Sequence, residues 1–305
     1  MTDLAHTFAR LAAILGPPDG EPETLDGGIT NRNYKVGFGG LPYMIREPGK
    51  DTDLLGIDRG TEWAASCAAA RVGVGPPVRA MLEDPPILVT AFVEGRPVTE
   101  AELRQPELLQ NVAGALRRIH DSGEELPSAF SAFRTVEEYA DTATRRGAKV
   151  PDGYDGAHKR ARAIERTLRG PEHEPVPCHN DLLAANLLLD GATLCIVDWE
   201  YAGMGDRYFD LGNLAVNNGF DEGGDAALLE AYFGEPATGR RRAALRLMRF
   251  MSDFREAMWG VLQSAVSELD FDFDGYASKH FERLGETADD PDFGRWLKEA
   301  RGADA

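Results

Sequence analysis

The sequence predicts an α+β fold with two lobes, a small β-rich N-terminal lobe and a larger, mainly helical C-terminal lobe. Three observations lead to this prediction. Up to residue 95 most apolar residues recur at the short period of strands. From residue 96 onward they recur at the longer period of helices. One short hairpin interrupts this helical half. The 305 residues are enough to bury a core in each lobe. We therefore expect lobes 1–95 and 96–305.

The N-terminal lobe opens with a helix, because apolar residues recur at helical spacing up to Leu15 and the breakers in GPPDGEPE follow. The strand-like segments NYKVGF and PYMIREP flank a Gly-rich turn and predict a hairpin. A helix is expected from Asp58 to Val72. The segments 76–83 and 85–92 predict a second pair of strands.

The C-terminal lobe is expected to be built from amphipathic helices. The β-like material in this half is NLLLD and TLCIVDW, joined by a tight turn at residues 190–192. The predicted helices are 100–121, 135–147, 155–169 and several between residues 206 and 300.

Charge and hydropathy exclude some classes of protein. The formal net charge of −18 would repel nucleic acid and anionic membranes. No apolar stretch approaches the ~18 residues of a membrane span, and the first residues lack the pattern of a signal peptide. We expect a cytoplasmic protein with no nucleic-acid partner and no membrane insertion. A homodimer is compatible with the sequence, which does not determine the oligomeric state.

Polar residues of one pattern surround the hairpin of the helical half. His179, Asp181 and Asn186 form H-x-D-L-x-x-x-N, and Asp198 follows in IVDWE. Phosphoryl transfer needs a carboxylate that deprotonates a hydroxyl and oxygen ligands that hold Mg²⁺. Turn residues that merely cap a hairpin are the alternative. Four such residues at this spacing favour a catalytic site.

The N-terminal lobe offers candidate nucleotide contacts. Gly28, in LDGGITNRNYKV, would let backbone amides approach a phosphate, although a double glycine also suits an ordinary turn. Arg46, in YMIRE, stands where a phosphate-binding Lys is expected, and Glu62 on the next helix is its candidate ion-pair partner. A strand-edge Arg facing water is the alternative. The backbone of Phe92 and Val93, at the lobe junction, is placed to hydrogen-bond an adenine.

These motifs resemble the choline/ethanolamine kinase branch of the aminoglycoside phosphotransferase-like superfamily. GGITNRNYKV, YMIREPG, CHNDLLAANLLL, IVDWEYAG, DRYFDLGN and FREAMWGVLQSAVSELDFDFDGYA follow the order of the family. Arg46 in place of Lys and the motif DWEYAG resemble this branch rather than its antibiotic-modifying relatives. The resemblance implies a bilobal protein-kinase-like fold, ATP and Mg²⁺ as cofactors, and a small amino alcohol as the substrate.

The resemblance also implies roles for individual residues. A quaternary amine is held by aromatic rings and acids, because it has no N–H to donate. The implied residues are Asp181 as the base, Asn186 and Asp198 as metal ligands, Arg46, Thr30 and Asn31 as phosphate contacts, and Glu200, Tyr201 and Trp259 near the metal or substrate.

Three positions depart from the family pattern. Leu262 replaces a second Trp, and Asn217 stands where an acid is expected. An aromatic residue expected near Asn217 is absent unless Phe220 takes its place. The predicted function is an ATP-dependent phosphotransferase acting on the hydroxyl of a small amino alcohol such as choline or ethanolamine. The alternatives are a kinase for an aminoglycoside, thiamine or a sugar-like compound, and a catalytically silent nucleotide-binding module.

Overall fold

The N-terminal part of the chain is an antiparallel sheet flanked by two helices. The computed structural model describes residues 4–25 and 31–301. The strands are β1 Glu23–Leu25, β2 Asn31–Phe38, β3 Leu41–Pro48, β4 Val78–Leu82 and β5 Ile87–Ala91, and the helices are α1 Leu4–Leu15 and α2 Arg59–Arg71. The five strands pair in the order β1-β2-β3-β5-β4.

Two hydrophobic cores support this part of the chain. Leu11 of α1 packs on one face of the sheet against buried residues such as Ile45 and Val89. The alanines of α2 belong to the core of the helical part instead, where they pack with Val112 and Leu116. The helix α2 therefore packs against the C-terminal part, although it precedes residue 95 in the chain. The lobe boundary at residue 95 stays a prediction.

The C-terminal part is mainly helical, as the sequence predicts, but its first helix is divided. A capping box at Thr99 starts α3, and Pro106 at the first turn starts α4, because proline suits a helix start and not a helix interior. The prediction of one helix over residues 100–121 was wrong on this point. The helices are α3 Glu100–Leu103, α4 Pro106–His120, α5 Ala132–Arg145, α6 Tyr154–Thr167, α7 Arg207–Asn217, α8 Glu222–Phe233, α9 Gly239–Val266, α10 Phe273–Asp289 and α11 Phe293–Arg301.

The predicted hairpin is present and has additional strands beside it. The strands β8 Leu187–Asp190 and β9 Thr193–Ile196 pair with each other, and β6 Arg96–Pro97 pairs with β8. A separate two-stranded pair joins β7 Val176–Cys178 to β10 Gly203–Gly205. These added strands have two or three residues, which is too short for an alternating pattern to show in the sequence.

The long helix α9 is at the centre of the helical part and is buried along most of its length. It packs against α5, α7, α10 and α11. Gly212 allows α7 to approach it closely, since a Cβ there would lie 2.8 Å from the backbone of Met248. The chain thus has the predicted α+β class, with a sheet followed by a larger helical part. Among its described helices, none is both long and apolar enough to cross a membrane.

Candidate active site

The segment between β7 and β8 carries the first half of the polar motif and is fixed by one buried carboxylate. Asp210 of α7 accepts the backbone N–H groups of His179 at 2.8 Å and Asn180 at 2.6 Å, and also contacts Nε2 of His120 at 3.0 Å. Asn180 has a φ of 66°, a left-handed conformation that asparagine tolerates better than most residues. The loop therefore has a defined shape before it reaches Asp181.

His120, Cys178 and Asp210 also form a group compact enough to hold a metal ion, among the residues that the structure describes. The Asp210 oxygens already accept hydrogen bonds from two backbone amides and contact the His120 ring. His120 is in turn 2.7 Å from the Tyr232 hydroxyl. This group supports the loop, and we assign it no metal.

Replacing Asp210 by asparagine is expected to lower the free energy of unfolding by about 2–5 kcal/mol, because two buried amides lose a charged acceptor. The turnover number should fall with it, since the same loop holds Asp181. Urea unfolding and steady-state assays measure both effects. Asp289→Asn, at the exposed end of α10, is the matched control and should change neither. A fully stable Asp210→Asn protein would contradict the role given to this carboxylate.

His179 connects the motif's two halves. Its Nε2 is 2.9 Å from the carbonyl oxygen of Val197, so Nε2 carries the proton, and its Nδ1 accepts the backbone N–H of Asp181 at 3.2 Å. Burial lowers the pKa of His179 and keeps the ring neutral. The ring also packs edge-on against Trp199, with centroids 4.7 Å apart. This neutral ring therefore fixes the spacing between Asp181 and the segment that carries Asp198.

Asp181, Asn186 and Asp198 lie in one site. The side-chain amide of Asn186 donates to the Asp181 carbonyl oxygen at 2.9 Å, and the backbone N–H of Val197 donates to the Asn186 carbonyl. Asp198 has a φ of 69°, and Trp199 behind it donates to the carbonyl of Ile196. The sequence-predicted residues of the two loops thus converge.

Burial raises the pKa of the Asp181 carboxyl above its usual range. Arg255 opposes this effect, whereas the carboxylates of Glu256, Asp198 and Glu200 add to it. A carboxylate with a raised pKa binds a proton more strongly, which is the property that a general base needs.

The expected ion pair between Arg46 and Glu62 is formed. Nη1 of Arg46 lies 3.0 Å from Oε1 of Glu62 and also contacts Asp198. Burial disfavours the charge on Arg46, but Asp198, Glu62 and Glu200 outweigh that effect and raise its pKa. Arg46 is 5% exposed, which excludes the alternative of a strand-edge Arg facing water.

Arg59, which the sequence analysis did not select, extends this network. It donates to Glu62 at 2.7 Å and to Oδ1 of Asn31 at 2.8 Å. The Asn31 amide donates in turn to Glu200 at 2.7 Å. Asn31 and Glu200 thereby join the N-terminal sheet to the DWE segment across the site.

The other predicted nucleotide contacts lie before β2 and after β5. Gly28 and Thr30 lie outside the described residues. Phe92 follows the end of β5, and its N–H donates to the carbonyl of Pro42 at 3.0 Å, so it is already engaged. Val93 comes next and is partly exposed. Lys35 lies 4.0 Å from the Phe92 ring centroid.

Tyr201 and Trp259 meet in the interior. The Trp259 indole N–H donates to the Tyr201 hydroxyl at 3.0 Å. Leu262 is fully buried in the core, and Phe220 is buried in the segment between α7 and α8. Two rings of α10 pack edge-on to Trp259 instead, Phe273 with centroids 5.8 Å apart and Tyr276 at 5.4 Å. The sequence analysis missed these two rings.

The site contains a second ion pair that the sequence analysis also missed. Arg255 and Glu256 of α9 are buried and bonded to each other, and Nη1 of Arg255 lies 3.5 Å from Oδ1 of Asp181. The Tyr276 hydroxyl donates to Glu256 at 2.7 Å. In the sequence, Arg255 and Glu256 are two adjacent charges within the mostly apolar segment FREAMW. That apolar context was the available signal that the pair would be buried.

Comparison with known proteins places this chain in a family. A model of the phosphotransferase enzyme family matches residues 21–246. The structure superposes on a choline/ethanolamine kinase family protein of Mesorhizobium loti with a TM-score of 0.83, 31% identity and coverage of 98% of this chain and 99% of that one. The chain belongs to the phosphotransferase enzyme family, in its choline/ethanolamine kinase branch. The protein is therefore an enzyme, a small-molecule kinase.

Other members of the family are more distant. Ethanolamine kinase 2 of Mus musculus is 26% identical over 268 residues, covering 79% of this chain and 68% of the relative. The choline kinase LicA of Streptococcus pneumoniae shares the fold with a TM-score of 0.77 at 21% identity, over 93% of this chain and 98% of that one. LicA has also been solved in complex with AMP. The resemblance drawn from the motifs is confirmed at the level of the family and the fold.

Proposed function

We propose that this enzyme transfers the γ-phosphoryl group of ATP to the hydroxyl of a small amino alcohol of the choline or ethanolamine kind. One observation carries the proposal: Asp181, Asn186 and Asp198 come together in one site beside the Arg46–Glu62 ion pair. This is the set of groups that phosphoryl transfer requires, a base, hard oxygen ligands and a fixed cation.

Asp181 is the proposed base. It accepts the proton of the substrate hydroxyl while that oxygen forms a bond to the γ-phosphorus, and ADP leaves with the electrons of the broken bond. Its raised pKa suits this role. The hydrogen bond from Asn186 and the His179 contact hold its backbone, so the carboxylate reaches the hydroxyl from a fixed position.

Asn186 and Asp198 are the proposed Mg²⁺ ligands, and their chemistry fits the ion. Asn186 uses its amide nitrogen to bind the Asp181 carbonyl, so its side-chain oxygen is the group left to face a cation. Asp198 adds a carboxylate that is 26% exposed. When bound, Mg²⁺ would neutralise the charge on the β- and γ-phosphates.

Arg46 is the side chain proposed to contact the phosphates of ATP. Glu62 and Asp198 fix its guanidinium, so it would meet the phosphates without reorganising. Gly28, Thr30 and Asn31 are proposed to contact the phosphates, and Phe92 and Val93 to border the adenine. The AMP complex of the related LicA supports an adenine nucleotide as the phosphoryl donor.

The charge balance of the site favours a cationic acceptor. Five carboxylates face three guanidinium groups, and Trp259 adds an aromatic surface together with the two α10 rings. The family relatives that are named for choline and ethanolamine support the same class. The charged groups are Glu62, Asp181, Asp198, Glu200 and Glu256, with Arg46, Arg59 and Arg255.

Steady-state release of ADP tests the proposal. The purified enzyme is incubated with MgATP and a panel of alcohols that includes ethanolamine, choline, an aminoglycoside, thiamine and a simple sugar. Stimulation by one or more amino alcohols, and loss of activity when EDTA removes the metal, are the expected results. Stimulation by the aminoglycoside, the sugar or thiamine alone would contradict the class of small amino alcohols, and binding of MgATP with no turnover of any acceptor would favour the silent module. The cytoplasmic location and the homodimer stay predictions.

A further inference from the structure

Arg255 of α9 lies behind the proposed base. Its Nη1 is 3.5 Å from Oδ1 of Asp181, a separation at which opposite charges attract although it is long for a hydrogen bond. The Arg255 side chain is 2% exposed, whereas that of Asp181 is 15% exposed. The Asp181 carboxylate therefore borders the open site, and the guanidinium contacts it from the protein interior.

Two neighbours hold the guanidinium in that position. The same Nη1 donates to Oε1 of Glu256 at 2.5 Å, and the Tyr276 hydroxyl of α10 donates to the other oxygen of Glu256 at 2.7 Å. The central carbon of Arg255 also lies 4.2 Å from the centroid of the Tyr201 ring, in a cation–π contact. The cation is thus fixed by its own helix, by α10 and by Tyr201 where it meets Asp181.

The hydrogen bonds of the Asp181 loop fix the backbone of this residue and not its carboxylate. The N–H of Asp181 donates to His179, and its carbonyl accepts from Asn186. A side chain on a fixed backbone still has several rotamers, whereas a general base must present an oxygen to the hydroxyl at hydrogen-bond distance. Arg255 supplies a side-chain contact that favours one orientation, in which Oδ1 faces the guanidinium and Oδ2 is left for the hydroxyl.

Stability is a poor explanation for a buried arginine at this position. Among the residues that the structure describes, Nε and Nη2 of Arg255 have no hydrogen-bond partner, although both atoms are buried. Buried donors without partners destabilise a fold, and a buried ion pair often stabilises it no more than apolar side chains of similar size do. A role toward Asp181 accounts for a cation that the core alone does not need.

We propose that Arg255 is a positioning residue for phosphoryl transfer, which holds one oxygen of the Asp181 carboxylate so that the other faces the acceptor hydroxyl. This inference rests on the proposed function, in which Asp181 is the base, and adds a residue to it. Arg255 contacts neither ATP nor the acceptor and acts through Asp181. The transfer step and the acceptor class stay as described above.

Substitution of Arg255 should therefore change kcat more than KM. Arg255→Met removes the charge and should lower kcat by about 10- to 100-fold, the effect of a misplaced catalytic group, with each KM changed by less than about threefold. Arg255→Lys restores a positive charge without the planar fork and should lower kcat by only about three- to tenfold. Arg242→Met, at an exposed arginine of the same helix, is the control and should leave kcat unchanged.

A double-mutant cycle distinguishes action through Asp181 from a structural role. In the Asp181→Asn background, Arg255→Met should lower kcat by less than about threefold, because no carboxylate base is left to position. A structural role would give an equal loss in both backgrounds, together with a matching fall in the folded fraction measured by circular dichroism. Because Arg255→Met leaves Glu256 buried without its partner, the double variant Arg255→Met, Glu256→Gln is measured in the same cycle.

The outcomes separate this inference from the proposed function. An unchanged kcat in the Arg255→Met proteins, or an equal loss in both backgrounds, would overturn the positioning role. If the Arg255→Met proteins do not fold, Arg255→Lys decides: a loss of kcat confined to the Asp181 background supports the role, and no loss or an equal loss overturns it.

If no acceptor is phosphorylated, the proposed function fails, and crystal structures of the wild type and the folded Arg255 variants decide the inference. A different rotamer of the Asp181 carboxylate in the variants would support positioning by Arg255. An unchanged rotamer would overturn it.

Discussion

Replacing Asp181 by asparagine is expected to lower kcat by about 100- to 10,000-fold, the range that general base catalysis contributes. Asparagine keeps the size of the side chain and removes its ability to accept a proton. The backbone contacts of this residue, to His179 and Asn186, do not involve its carboxylate and should persist. The affinity for MgATP should therefore change little. Steady-state kinetics gives kcat, and calorimetric titration gives the dissociation constant of MgATP.

The matched control is Asp190→Asn, which makes the same substitution at the exposed turn of the hairpin that carries the motif. Its kcat should equal that of the wild type. Equal activities of Asp181→Asn and Asp190→Asn would show that Asp181 is not the base. A loss of MgATP affinity that matches the loss of kcat would instead place Asp181 among the nucleotide contacts.

Asp198→Asn is the second substitution with a large expected effect. Asparagine tolerates the left-handed conformation at this position, where φ is 69°, so the change removes a charge and leaves the backbone unstrained. The carboxylate is lost both as the proposed Mg²⁺ ligand and as the partner of Arg46. We expect turnover to fall by at least about 100-fold at ordinary Mg²⁺ concentrations, and a partial recovery as Mg²⁺ is raised.

Titration of ADP release with MgCl₂ measures this effect. Asp51→Asn is a suitable control, because Asp51 is exposed and is also an aspartate with positive φ, at 55°. It should leave the Mg²⁺ dependence unchanged. An Asp198→Asn enzyme whose half-saturating Mg²⁺ concentration matches that of the wild type would remove Asp198 from the metal site.

Much of the fold was accessible from the sequence, because strands and helices impose different apolar periods on it. The central hairpins and most helices are where the pattern puts them. The errors arise where local pattern is weak. The strands β6, β7 and β10 form through pairing with partners elsewhere in the chain, and their two or three residues carry no period of their own. Pro106 divided a helix whose apolar spacing continued on both sides.

The candidate catalytic loop was determined by the sequence itself, since Asp181 and Asn186 stand on one short loop and Asp198 follows across a single hairpin. Their convergence is a local consequence of that geometry. The position of Arg255 was decided by tertiary structure alone. Arg255 belongs to a helix whose apolar spacing predicts a core element, and only the packing of α9 against the loop brings its guanidinium to Asp181 and Tyr201. Spacing along a chain specifies neighbours within a turn or a hairpin, whereas the surroundings of Asp181 also depend on contacts between distant segments, which the folding of the whole domain creates.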